Sequence, residues 1–462
     1  MELTAAQVEQ MAPDAASIKA AGKLTGLRSW ADLGQSPELL WGRCQGSRAY
    51  DVKVVRADYG FHCTCPSRKF PCKHVLALLT VAANDDAALP AADAPPDWVA
   101  EWFEARQEKQ AKKAEKAAEK AAEKAAKKPP DPKAQAKRAA AREAKVQDGL
   151  ERLELWIADL VRRGLAEVQG QPHIWHEQAR RLVDSQAATL AGTVERLGET
   201  IGRGPDWTTR LLGELGQVQL LIDAARNPSL PLDLRADVRQ QIGYSLSADE
   251  VHAHGDVVAD RWAVVGQWVN EFDRVTSRRT WLIGAESGRT AMQLDFAAGN
   301  RPLPPTVVPG TSAICKAAFY PGAVPQRVRL GEIHEVKPLE KRLAGRDSIA
   351  AALETWANQL SRQPWLGQTL LALRDVRLEP PHSGNRAGVE RSAAAEGVWH
   401  IVDRTGAALP LLGAHHWRQL ATLGPGRCDI TGEWDGERLR LLGTWSRGGG
   451  ERAEAGSWST AE

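Results

Sequence analysis

Three cysteines and one histidine fall within twelve consecutive positions of this chain. They read Cys63-Thr64-Cys65, then the six residues from Pro66 to Pro71, then Cys72-Lys73-His74. In compact form this is C-x-C-x6-C-x-H. Side chains alternate along a strand, so Cys63 and Cys65 share one direction while Thr64 takes the other. Each proline biases the residue before it, Cys65 or Phe70, toward extended backbone, which keeps the loop out of a helix. The following HVLALLTVAA has an amphipathic helical pattern, so Cys72 and His74 supply a thiolate and an imidazole from a first helical turn. Three sulfurs and one nitrogen make a closed tetrahedral shell of the kind that holds structural zinc. Such a shell keeps no position for a water, so catalysis at the metal is not expected. A chance meeting of small buried residues is the alternative, and the paired x-spacings bracketed by prolines argue against it.

The other cysteines, Cys44, Cys315 and Cys428, are scattered. Six cysteines in 462 residues do not make the dense framework of a small disulfide-stapled domain. Cys44 lies on a strand just before the motif and is expected to pack in the core. The opening MELTAAQVEQMAPDAAS has neither a basic region nor an apolar run of a signal peptide. The apolar run from Val75 to Ala83 is too short to span a bilayer. No membrane association is expected, and the cytoplasm is the default location. Arg68, Lys69 and Lys73 flank the ligands and admit two readings, a phosphate-contacting surface or compensation for a net negative thiolate site; the second is favoured.

WGRCQGS followed by CTCPSRKFPCKHVLALL resembles the SWIM zinc finger, in a bacterial form, over roughly residues 39 to 81. The resemblance implies zinc ligands at Cys63, Cys65, Cys72 and His74 and a ββα-like module. It also implies a role in DNA binding or protein–protein interaction. The similar bacterial proteins are thought to work beside MoxR-type ATPases and von Willebrand A domain proteins, and this chain has the motifs of neither.

Along the rest of the chain the hydrophobic period sets the expected organisation. LLWGRCQ and RAYDVKVV on either side of Gly46-Ser47 form a hairpin signal. Residues 1–83 make an N-terminal region whose zinc module covers about 39–83. Residues 84–145 are a loop, 84 to 97, followed by a lysine- and alanine-rich helical linker. A helical domain occupies 146–244, with Leu153, Trp156, Ile157, Leu160 and Val161 on one buried face. From 245 to 462 the period shifts to two around a single helix, DSIAAALETWANQLSRQ, and predicts a mixed α/β C-terminal domain. The fold class is α+β.

Charge is uneven. The chain carries a net charge of +2, yet positions 106 to 145 hold 14 Lys or Arg against 6 Asp or Glu, leaving the remainder net acidic. Lys112, Lys116, Lys120, Lys124 and Lys128 recur every four residues and would line one helix face, as a solvated spacer or as a ridge tracking nucleic-acid phosphates. A coiled coil is a lesser reading, since leucine heptads are lacking. No Walker loop, G-x-G-x-x-G after a strand, G-x-S-x-G or H-E-x-x-H occurs. The pairs His173 with His176, His252 with His254, and His415-His416 lack companion ligands and read as surface or packing residues. The expectation is a non-enzymatic adaptor with one structural zinc and a protein partner; DNA binding through the finger and the basic linker is the alternative.

Overall fold

A computed structural model describes residues 8, 15–45, 48–56, 60–67, 71–85, 89–108, 132–272, 275–299, 301, 303–304, 306–339, 343–381, 398–413, 416–423, 426–447 and 456–460. The chain forms two compact units, residues 1–129 with 462, and residues 130–461. The lysine ridge, Arg68, Lys69 and His415 lie outside the described residues.

The first unit is built on a four-stranded antiparallel sheet in the order β1-β2-β3-β4, with β1 Trp30–Gln35, β2 Leu39–Gln45, β3 Ala49–Val55 and β4 Phe61–Cys63. β2 and β3 pair from Leu39↔Val55 to Gln45↔Ala49, the hairpin anticipated from their alternation. That alternation divides their side chains between two cores. Leu40, Cys44, Val52 and Val54 face the buried stripe of helix α2, Lys73–Asn84, with helix α1, Ala15–Gly22, beside it. Leu39, Trp41 and Val55 face the other way, onto Trp98, Val99, Trp102 and Phe103 of a helix α3 over 97–108. The ββα element is therefore part of a larger sandwich with a helix layer on each face. Lys53 is buried on the second face, where its Nζ donates to the Trp98 carbonyl at 2.6 Å and lies 5.0 Å from the Trp98 ring centroid. Residues 90–92 run along the free edge of β1 and bond to both backbone groups of Gln35, which blunts that edge.

The second unit opens with helices α4 Pro132–Arg163, α5 Pro172–Asp184, α6 Ala188–Leu197, α7 Trp207–Arg226 and α8 Leu232–Ile242. They share one core. On α4 the buried stripe is Val146, Leu150, Leu153, Ile157 and Leu160, spaced by three or four residues. Trp156 sits at its margin, edge-on to Trp175, and Val161 is 45% exposed, so the stripe is rotated by part of a turn from the face read in the sequence.

After a short helix α9, Ala248–His254, whose Ser247–Glu250 capping box starts it, come two sheets. The first contains β5 Asp256–Phe272, β6 Val275–Gly284, β7 Thr290–Ala298, β8 Thr311–Phe319, β9 Arg327–Leu330 and β10 Glu335–Pro338. Its order is β10-β8-β5-β6-β7-β9 with a further β8–β9 pairing, so β5-β6-β7-β9-β8 closes into a ring. Among the described strands of this sheet, the β7–β9 pair is parallel and the others are antiparallel. A three-stranded meander, a fourth strand back beside the first and a fifth inserted between third and fourth is the connectivity of a five-stranded OB-type barrel.

The second sheet has the order β13-β12-β11-β14-β15-β16, with β11 Thr369–Glu379, β12 His400–Val402, β13 Ala408–Pro410, β14 Cys428–Trp434, β15 Leu439–Arg447 and β16 Gly456–Thr460. Helix α10, Ile349–Arg362, packs Ile349, Ala352 and Trp356 onto it, and a short helix α11, Trp417–Leu423, precedes β14. Barrel and sheet share a core of Val265, Trp281, Met292, Leu370, Leu442 and Trp445. Gly266 makes this possible, since a Cβ there would lie 2.4 Å from the Leu442 Cβ. The α+β class is what the chain adopts. Among the described residues no helix is long and apolar enough to cross a membrane.

Candidate metal centre

The four residues of the C-x-C-x6-C-x-H motif converge. Cys63 is the last residue of β4, held in register opposite Val52. Cys65 follows in a bend, so the strand ends before the second cysteine rather than carrying both. Thr64, between them, fastens this turn to β3: its amide donates to the Asp51 carbonyl at 3.1 Å, and its Oγ1 accepts from the Asp51 amide at 2.9 Å. Cys72 is the N-cap of α2 and His74 its second residue; both are buried. The apolar run Val75 to Leu79 anchors that helix in the core and thereby fixes the two ligands at its start.

One ligand atom from each residue lies within 4.8 Å of all the others. The His74 Nδ1 is 3.8 Å from the Cys63 Sγ and 3.9 Å from the Cys72 Sγ. A tetrahedral zinc with ordinary Zn–S and Zn–N bonds places its ligand atoms about 3.5–3.8 Å apart. The cluster has that scale and that donor set. It is positioned to bind one zinc ion through Cys63, Cys65, Cys72 and His74, which would tie β4, the loop and α2 together at one point. The imidazole is braced by Tyr50, whose ring stacks on it with centroids 4.8 Å apart.

Backbone amides are aimed at the sulfurs: Cys65 N–H at the Cys63 Sγ, Ser67 N–H at the Cys65 Sγ and Val75 N–H at the Cys72 Sγ. The thiols do not hold their protons equally. Donation from the Cys63 thiol holds Cys72 well below its ordinary value against the cost of burial, and His74 and the helix amide act in the same sense. Cys63 moves up in return, and Cys65 moves up through burial. Cys72, at the positive end of α2, is thus the sulfur that carries charge most readily.

The remaining residues weighed as ligands stay apart. Cys44 is fully buried in the core of the first unit, where burial pushes its thiol up to about 11. Cys315 and Cys428 are buried in separate cores of the second unit. His176 pairs with Glu195 at 2.7 Å on the surface, and His416 lies against Trp399 with its Nε2 at 3.1 Å from the Leu412 carbonyl. Among the described residues no second cluster of metal-binding side chains forms.

Residues 62–83 match the family model of the SWIM zinc finger. Residues 141–242, from the middle of α4 to the end of α8, match that of the SWIM-associated four-helix bundle domain. No curated protein and no solved structure matches the chain. The matched finger contains all three cysteines and the histidine of the cluster, and the matched bundle coincides with the helical core of the second unit. The chain carries a SWIM zinc finger and, downstream of it, the bundle that accompanies such fingers.

Proposed function

We propose that this protein is a non-enzymatic, cytoplasmic adaptor that joins partner proteins, with zinc in a purely structural role. The observation that supports this best is the donor set. Four protein donors, three of them cysteine sulfurs, would fill the tetrahedral shell of a bound zinc and leave that ion no open position for a substrate or water. A zinc so placed supplies rigidity to the β4–α2 junction and nothing further. SWIM fingers serve in protein or nucleic-acid interaction, and the partner suggested by resemblance is a MoxR-type ATPase or a von Willebrand A domain protein. A protein partner is favoured over nucleic acid because basic groups on the sheet of the first unit are already engaged. Arg43 pairs with Asp32 and Asp51, and Lys53 is buried against Trp98.

The second reading, DNA binding, rests on the excess of basic residues between 106 and 145. Recovery of complexes from native cells with and without nuclease separates the two. A partner captured equally in both supports the adaptor. Loss of every partner on nuclease treatment, together with a DNA affinity that falls steeply with salt and weakens when the five ridge lysines become glutamine, overturns it.

A further inference from the structure

The connection from β8 to β9 runs past the end of α8 and leaves a cleft of about 180 Å³ within the second unit. Gln240 holds the connection by donating to the Pro321 carbonyl at 2.7 Å. The walls come from α8, the barrel and the segment after α10, which are remote in sequence. Three polar side chains in it are less than a tenth exposed: Asp237 at 6%, Gln326 at 7% and Gln363 at 7%.

These groups are incompletely matched by the protein. Asp237 accepts the Ala323 amide at 2.7 Å through Oδ2, and no cation among the described residues pairs with it. Gly322 lets the loop pass this carboxylate, because a Cβ there would lie 2.3 Å from Oδ1. The Gln363 Oε1 is enclosed with no donor. Gln326 spends its amide N–H on the Thr369 hydroxyl at 2.9 Å, which leaves its oxygen as an acceptor. An unpaired carboxylate and an orphaned amide oxygen this deep are costly unless something donates to them. Trp281, Met292 and Trp365 give the cleft apolar walls, and Trp365 is fixed by its indole N–H on the Gln217 carbonyl at 3.0 Å.

We propose that this cleft seats an arginine side chain presented by a partner polypeptide, its guanidinium on the Asp237 carboxylate and the Gln363 carbonyl oxygen. A guanidinium has five N–H donors in a planar fork and no acceptor, which suits a pocket of surplus acceptors. Its methylenes and its π-face suit indole walls. Arg327 lines the same cleft, with its guanidinium 4.3 Å from the Tyr320 ring centroid. The proposal deepens the adaptor reading by naming a chemistry for one partner contact, and rests on that reading only for the polypeptide source.

Calorimetric titration of the full zinc-loaded chain with a capped Gly-Arg-Gly peptide tests it, beside the same peptide carrying citrulline and beside free agmatine. Saturable binding of the arginine peptide is expected, with citrulline at least about tenfold weaker, as for loss of a charged hydrogen-bonding partner. Asp237→Asn should weaken the arginine peptide by a similar factor. Gln363→Met, which keeps the shape of the side chain, should weaken it severalfold and decides the matter if Asp237→Asn does not fold. No saturation at millimolar peptide, equal binding of citrulline, or indifference to both substitutions overturns the site. Agmatine binding as tightly as the capped peptide overturns the polypeptide source. A nuclease-resistant partner still captured by the Asp237→Asn chain would remove the cleft from the interface and leave the adaptor reading standing.

Discussion

Cys72 is where one residue decides the state of the first unit. It caps α2, its thiol is held below its ordinary value by the Cys63 thiol and by His74, and it is buried between β4 and the helix. Purified chain should contain one zinc per molecule, and Cys72→Ser should lose it, as measured by metal analysis; two zinc ions, or none in the parent, would contradict the single site. Zinc binding displaces thiol protons, so metal content should fall as pH falls. Asp237 illustrates the opposite dependence. Burial pushes its carboxyl from 3.8 to about 6, with Asp233 adding to the rise and the Ala323 amide opposing it. The unfolded chain therefore releases this proton first, and the contribution of Asp237 to stability declines as pH rises from about 4 to 6. At pH 7 the ionised carboxylate destabilises the fold on the order of 2 kcal/mol. Asp237→Asn should raise the denaturation midpoint at pH 7 and lose that advantage below pH 4. An unchanged difference across the range would place the Asp237 titration elsewhere.

At the level of strands and helices, the join between barrel and sheet depends on Glu433. This buried carboxylate of β14 accepts from the indoles of Trp268 at 3.0 Å and Trp281 at 2.6 Å, and pairs with Arg279 at 2.9 Å. Glu433→Ala would strand two indole donors and a guanidinium, at a cost of about 3–5 kcal/mol. A shift of less than about 1 kcal/mol in chemical denaturation would show that the knot is dispensable. The same elements show where sequence patterns are readable. β2 and β3 alternate without interruption, and their hairpin is plain in LLWGRCQ and RAYDVKVV. β1 and β11 are not legible, because Asp32 and Asp375 adopt positive φ within bulges that break the period of two. β5 hides for a related reason: its register shifts between Val264 and Gly266, and Trp262 to Val265 are buried in succession. Helix α3 follows Pro95-Pro96 at the start of the expected helical linker, and its aromatic face of Trp98, Val99, Trp102 and Phe103, packed on the sheet, is not signalled by the linker's composition. The zinc ligands are legible because they are local. Asp237, Arg327 and Gln363 carry no such signal, since only the tertiary fold brings them to one cleft.

For the whole molecule, metal dependence is expected to divide along the chain. The first unit builds two cores on one small sheet, and its α2 core meets β4 at the zinc ligands. The second unit has a helical core of its own and two sheets with a shared core, with no metal cluster among the described residues. A chelator should therefore unfold the first unit and leave the second folded, because metal-binding free energy in such modules is folding free energy, on the order of 10 kcal/mol. Limited proteolysis provides the measurement. In the zinc-loaded chain, cuts should fall between 109 and 131, a lysine-rich stretch bounded by the aromatic anchor of α3 and the start of α4. Two fragments should survive, the smaller one retaining the zinc. With chelator the smaller fragment should be degraded while the larger keeps its cooperative thermal transition. Should chelator expose both fragments equally, the second unit would depend on the zinc module for its stability, and the finger would be part of one folding unit rather than a separable module.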